Sequence, residues 1–339
     1  MKAKKYILKI FIVLTFVFAT HTKADTLLQL PPEFEDFPFA VNLLQKFYII
    51  SDKESVSVDF DLSYLKSDID LAKDKTELET NILPVGYSNL TSDFVLSNLD
   101  YEIKGKYQII KNSPKFVLPK NQLSREKVNF EIKNHSKRYT FLGFKLSSNQ
   151  ADPLWLFSPF TNGLRKLSAS NRDDEILGSQ VSLNDLFVFQ SSSKLYTTKS
   201  SSQINLSVLV NKKQSQELKE GACYVAQYPV QDRTQNNSIE VYNNSFTKFV
   251  LFSNNFNTDV GKIIVYLDKK SNLPVYKLVY DKSFEPLKAV VNIVDKIGIA
   301  TKTIAVTKKS YTELAFLKHK FCKDIPSNMT LDQFDPSSL

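Results

Sequence analysis

LWLFSPFTNGLRKLSASNRDDEILGSQVSLNDLF, residues 154–187, begins with a crowd of large apolar side chains, turns, and ends in a polar tail. Leu154, Trp155, Leu156 and Phe157 are consecutive, and Phe160 follows a proline. Asn162-Gly163 is hairpin-turn chemistry, so the apolar run reads as a strand that returns through LRKL. Successive strand side chains point to opposite faces. Trp155 and Phe157 therefore share one face, and Leu154 and Leu156 the other. A strand apolar on both faces is covered on both sides. Two readings stay open. Both pairs pack in a filled core, or Trp155 and Phe157 line an apolar space with Phe160 at its rim.

The same period of two runs through the chain. Val56, Val58, Phe60, Leu62 and Tyr64 alternate with Ser and Asp, as do Leu99, Tyr101 and Ile103, and Val128, Phe130 and Ile132. Ile204, Leu206, Val208 and Val210 repeat it, and shorter runs follow at 239–242, 246–252, 262–267, 275–280, 287–294 and 303–307. Short polar turns join them, which favours antiparallel neighbours. Helical signals are few. FPFAVNLLQKFY (37–48) puts Ala40, Leu43, Leu44 and Phe47 on one side of a helix. Residues 311–320 read as a second helix or a last strand, and 67–79 as a helix or a solvated loop. The expectation is a large, mainly antiparallel β protein with one or two short helices.

The first 24 residues, MKAKKYILKIFIVLTFVFATHTKA, have a basic start, a short apolar run and a small-x-small ending. That is the layout of a cleaved export signal, with maturation at Asp25. The run from Ile10 to Ala19 is short for a membrane span, and no Cys follows it for lipid attachment. Of the 44 Lys and Arg residues, Lys2, Lys4, Lys5, Lys9 and Lys23 lie in this segment, while none of the 36 acids does. The remainder is nearly balanced, so the basic character gives no reason to expect nucleic acid as a partner. Only 8 glycines occur, which argues against Gly-rich phosphate loops. Cys223 and Cys322 either bridge in an oxidising compartment or remain as two buried thiols.

The sequence offers little chemistry. His135 and His319 stand apart from each other and from any ligand motif, and HExxH, GxSxG and CxxC are absent. Asp173-Asp174-Glu175 fits no Ca²⁺ loop. No catalytic residue, metal site or cofactor is expected.

The 154–187 stretch resembles the exported LolA-like family of outer-membrane lipoprotein-sorting proteins. The matching residues are Trp155-Leu156-Phe157-Ser158-Pro159, Arg165, Arg172, Gly178-Ser179, Ser182 and Asp185-Leu186. Three further segments fit in order: GACYVAQYPV (221–230), VYLDKKSNLPVYKLVYDKSFEPLKAV (265–290) and LDQFDPSSL (331–339). The resemblance covers residues 127–339. Residues 25–126 match poorly and stand as a diverged N-terminal helix and strands, an inserted lid or a small extra domain.

The resemblance implies a curved antiparallel half-barrel with short covering helices, and an apolar cavity for acyl chains. It implies a periplasmic carrier of lipid or lipoprotein acyl chains, not an enzyme, working with a membrane transporter or an outer-membrane acceptor. The alternative is a periplasmic structural or signalling protein that uses the same half-barrel to dock another protein. Under the carrier reading Trp155, Phe157 and Phe160 touch lipid. Arg165 and Arg172 either meet a headgroup or clamp the acids at 173–175 or Asp185. Gly178 supplies an unusual backbone conformation, and Ser179, Ser182, Asp185 and Leu186 define the fold locally, with Ser182 and Asp185 capping a turn.

Overall fold

The alternating segments form strands because each can bury one row of side chains while its backbone pairs with neighbours. The computed structural model describes residues 29–47, 87–98, 101–114, 116–132, 138–147, 151–187, 195–211, 216–220, 223–228, 239–254, 258–269, 273–295, 298–326 and 329–339. The expected export signal (1–24), the alternating segment at 56–64, the 67–79 segment, Leu99 and His135 lie outside the described residues.

The strands are β1 (Asn89–Ser97), β2 (Glu102–Lys111), β3 (Gln122–Ile132), β4 (Arg138–Leu146) and β5 (Leu154–Ser158). Next come β6 (Gly163–Leu167), β7 (Tyr196–Asn211), β8 (Gln216–Glu220), β9 (Cys223–Gln227) and β10 (Ile239–Ser253). The last are β11 (Val260–Asp268), β12 (Pro274–Asp281), β13 (Pro286–Val294), β14 (Ala300–Thr307) and β15 (Tyr311–Cys322). All belong to one curved sheet, ordered β12-β11-β10-β7-β13-β14-β15-β1-β2-β3-β4-β5-β6. Pairing is antiparallel except for a short parallel contact of β13 with β7. Because β12 also pairs with β13, strands β7, β10, β11, β12 and β13 close on one another. The rest continues as an open wall ending at β6. The result is a half-barrel.

Residues 311–320, open to two readings in sequence, are part of β15. Thr312, Leu314 and Phe316 are buried at alternate positions, a period that a helix could not satisfy. β1 and β2 pair with β15 and β3, so this part of the 25–126 region belongs to the same sheet, and position 126 falls within β3. The β8–β9 hairpin attaches to the flank of β15, and its Cys223 is bonded to the directly opposite Cys322, with Cα atoms 4.1 Å apart.

One face is covered along the sheet, and over β12 the other face is covered as well. Register places Phe130, Tyr107, Phe94, Phe316, Thr303 and Lys277 on one face. The connection from β6 to β7 crosses this face, and its Phe187 lies 5.0 Å from the Phe316 ring and 5.3 Å from Tyr107. The opposite face of β12 carries Tyr276 and Tyr280. These meet Phe34 and Phe37 at 5.7 and 5.1 Å, from a 3₁₀ turn (Pro32–Asp36) and the start of helix α1 (Pro38–Phe47). α1 buries Ala40 and Leu44, four positions apart, as the sequence suggested. Its expected partner Phe47 has a side chain outside the described residues. Among the described residues no helix is long and apolar enough to cross a membrane.

Candidate functional site

The site is built around the β6–β7 connection, residues 168–187. Ser168 caps the 3₁₀ turn Ala169–Asp173, its backbone N–H donating to Asn171 Oδ1 at 2.9 Å. A second 3₁₀ turn, Leu183–Asp185, is capped by Ser182, whose N–H and hydroxyl donate to Asp185 Oδ2 at 2.9 and 2.8 Å. Between them Leu177 and Gly178 both have left-handed backbone, φ 51° and 78°. A Cβ at Gly178 would meet nothing within 4 Å, so the glycine answers the backbone and not crowding. Ser179 is fully buried and donates to the Val181 carbonyl at 3.0 Å.

Two buried ionic groups pin this connection to distant strands. Arg172 pairs with Glu126 of β3, and the guanidinium also donates to Asn184 Oδ1 at 3.3 Å. Tyr107 of β2 donates to the second Glu126 oxygen at 3.2 Å. Asn184 then donates to Asp173, which accepts from Tyr196 of β7 at 2.7 Å. The sequence offered Asp185 or the acids at 173–175 as clamps for Arg172. Its partner is Glu126, which register brings to the inward face of β3 opposite Gly143. Gly143 is required there, because a Cβ would run into the Glu126 carboxylate and come within 2.9 Å of Arg172 Nη1.

Asp185 is claimed by Lys277 of β12 and Lys288 of β13, the latter at 2.6 Å. Burial pushes the Asp185 carboxyl up, but the two ammoniums outweigh this and hold it well below the usual carboxylate range. Burial lowers the pKa of Lys277, with Asp185 opposing. Leu186 is buried, and its carbonyl accepts from Thr303 at 3.4 Å.

A pocket of 250 Å³ lies between this connection and the β4–β6 end of the sheet. Tyr139, Phe141, Leu156 and Leu167 form its strand side, and Ile176, Leu177 and Leu183 its roof. Asn171, Asp174 and Glu175 stand at its polar side. Phe141 pairs with Leu156, and Leu142 with Trp155. The pocket face is therefore the face of Leu154 and Leu156.

Register places Trp155 and Phe157 away from this pocket. They lie on the opposite face, where Trp155 packs 4.8 Å from the Phe144 ring and Phe144 lies under the Arg125 guanidinium at 4.5 Å. Alternation told which residues share a face but not which face the connection would cover. Phe160, 54% exposed, sits 5.8 Å from the ring of the pocket residue Tyr139. Arg165 is exposed on β6, in register with Leu156. The pocket residues Phe141 and Leu167 carried no motif, and only the strand pairing reveals them.

A second cleft, of 630 Å³, opens on the other side of residues 174–175, over β11–β14. Among the described residues no cluster of His, Cys, Asp and Glu is arranged to hold a metal.

Compared with solved structures, the chain is similar to a domain described as an outer membrane lipoprotein-sorting protein from Vibrio parahaemolyticus. Identity is 14% over 75% of this chain and 92% of that one, with a TM-score of 0.50. A DUF1329 family protein from Desulfovibrio piger matches at 14% identity over 75% of this chain and 92% of its own, TM-score 0.48. A LolA superfamily protein from Nitrosomonas europaea matches at 13% over 71% and 87%, TM-score 0.38. No protein-family model and no curated protein sequence matches the chain. The fold is LolA-like.

Proposed function

We propose that the protein is a periplasmic carrier that takes up lipid or lipoprotein acyl chains and delivers them towards the outer membrane. The observation that carries this reading is the pocket lined by Phe141, Leu156, Leu167, Ile176, Leu177 and Leu183 in a LolA-like half-barrel. The similar Vibrio parahaemolyticus domain is described as lipoprotein-sorting. Acyl chains gain about 0.8 kcal/mol for each methylene removed from water, so a carrier needs a dry groove and no reactive group. Phe160 stands beside the pocket as a contact for the outer part of the chain.

At 250 Å³ the pocket is smaller than the roughly 300–1,000 Å³ of ordinary ligand sites. Uptake of a whole chain therefore requires its roof to move. The roof is the connection at 174–178, which includes the two left-handed residues. Release needs an acceptor that favours the closed form, such as a transporter or an outer-membrane partner.

Native mass spectrometry of the protein, exported with its own first 24 residues and purified without detergent, tests this reading. A stoichiometric bound lipid on a chain beginning at Asp25 is the expected result. A lipid-free mass that stays unchanged after incubation with phospholipid vesicles would overturn the carrier and favour docking of a protein partner. The exposed edge strand β6, with Leu164 43% exposed, would then be the surface to examine.

A further inference from the structure

We infer that the wall of the half-barrel formed by β15 and β1–β6 docks on a membrane carrying anionic lipids, through the face turned away from the pocket. This goes beyond the carrier reading and does not rest on it. One row of the register crosses the face from Lys318 of β15 through Asp93 and Lys106 to Phe157 and Leu164. Burial along the strands shows which side is open. On β1, Leu90, Phe94 and Leu96 are buried towards the connection, whereas Thr91, Asp93 and Val95 are only half-buried. On β2, Ile103 and Tyr107 are buried, and Lys104 and Lys106 are exposed.

An antiparallel sheet with one open face alternates apolar with polar side chains, as β2 does. β5 breaks that rule, because Trp155 and Phe157 stand half-buried on the open face. Phe157 is paired with Leu164, 43% exposed on the edge strand β6, and Trp155 is paired with Lys166. Half-exposed Trp, Phe and Leu beside a lysine suit the headgroup level of a bilayer. There a ring meets apolar chains at one end and water at the other, while a lysine stem lies along apolar surface with its ammonium among phosphates.

Charge names the kind of membrane. Register brings Lys104, Lys106, Lys127, Arg138, Lys166 and Lys318 to this face. Four acids share it, Asp93, Glu102, Glu131 and Glu313. Glu313 is taken by Lys302 of β14 at 3.0 Å, a cation outside those six. The C-terminal turns bring Asp332 and Asp335 to one margin, where Asp335 faces Arg125. Lys320 also stands on this face, with interactions of its own. Even without Lys320 the cations outnumber the acids left for them. Glu131 meets Arg138 at 3.5 Å with both side chains more than half exposed, so a lipid phosphate competes for that guanidinium. The same excess disfavours a second copy of this face as the occupant, since like charges would meet.

Trp155 is the single tryptophan of the chain, so its emission reports on this face. The full mature chain is mixed with vesicles of phosphatidylcholine, or of phosphatidylcholine and phosphatidylglycerol in equal parts, with identical acyl chains. Both offer the same chains to the pocket, so a difference between them reads surface charge and not uptake. Cosedimentation and a blue shift of Trp155 emission are expected with the anionic vesicles, at least tenfold tighter than with phosphatidylcholine and reversed by salt. Lys104→Gln/Lys106→Gln, both exposed, should weaken this binding at least fivefold. Lys308→Gln/Lys309→Gln, which removes as much charge from the β14–β15 turn, should stay within twofold. Equal binding to both vesicles, binding to neither, or equal loss in the two variants overturns the assignment. So does a Trp155 emission that is already that of a buried indole in buffer and ignores vesicles, because protein then covers the face. A lipid-free mass in native mass spectrometry bears on the carrier reading alone.

Discussion

Arg172 and Glu126, 46 positions apart, form a buried ion pair that ties the β6–β7 connection to β3. The connection that roofs the pocket is therefore held by charge as well as by Phe187 and Leu186. Replacing one partner leaves the other charge buried without compensation, which typically costs about 3–5 kcal/mol. Glu126→Gln should lose stability of that order in urea unfolding. Gly143→Ala should be destabilising through the same pair, by about 1–3 kcal/mol, because its methyl collides with the carboxylate. Stability unchanged in both variants would show that the pair does not anchor the roof.

The face assignment gives an opposite pair of outcomes. Leu156→Glu places a charge in the apolar pocket and should abolish uptake of a fatty-acid probe. Trp155→Ala, on the other face, should leave uptake within about twofold while costing stability through lost packing on Phe144. Loss of uptake in Trp155→Ala alone would place the binding surface on the Trp155 face, one of the two readings the sequence leaves open.

His319 makes stability depend on pH. It is fully buried among Phe316, Phe187 and Tyr228, with Ser92 Oγ at 2.7 Å and the Ala300 carbonyl at 2.8 Å. Burial pushes its pKa down to about 4, and the Ala300 hydrogen bond only partly opposes this. The unfolded imidazole titrates near 6.5. Between these values the unfolded chain binds a proton that the folded chain refuses, so stability falls as pH drops from 6.5 towards 4. The expected loss is about 3 kcal/mol, at roughly 1.4 kcal/mol per pH unit. His319→Gln should flatten that slope. An equal slope in the variant would assign the pH dependence to other groups.

Asp185 acts below that window. Its folded pKa lies under the unfolded value of about 3.9, so its contribution is complete above that pH and disappears on further acidification. Asp185→Asn should lower stability at neutral pH and reduce the additional loss seen below pH 4.

The Cys223–Cys322 bond closes a loop with a sequence separation of 99 and fixes the β8–β9 hairpin to β15. Loop-closure entropy for such a length predicts about 4–5 kcal/mol. Unfolding with and without reductant measures it, and Cys223→Ser/Cys322→Ser should match the reduced protein.

What the sequence by itself determined was local and periodic. Alternation at 128–132 and 204–208 specifies strands, because a strand can bury every second side chain and a helix cannot use that pattern. Ala40 and Leu44 likewise specify a helix face, and Ser182 with Asp185 a capped turn. Tertiary structure decided everything that depends on which side of the sheet is covered. The face of Leu156 or of Trp155 becomes the pocket according to where residues 168–187 cross, and both faces of LWLF are apolar enough for either. The partner of Arg172 was beyond reach for the same reason. Alternation puts Glu126 in phase with the inward Val128 and Phe130, but its partner appears only when register sets it opposite Gly143, where the missing Cβ leaves room for a guanidinium from a connection 46 residues away. Periodicity is a property of neighbouring positions, whereas a cavity and a buried ion pair exist only once distant segments share a surface.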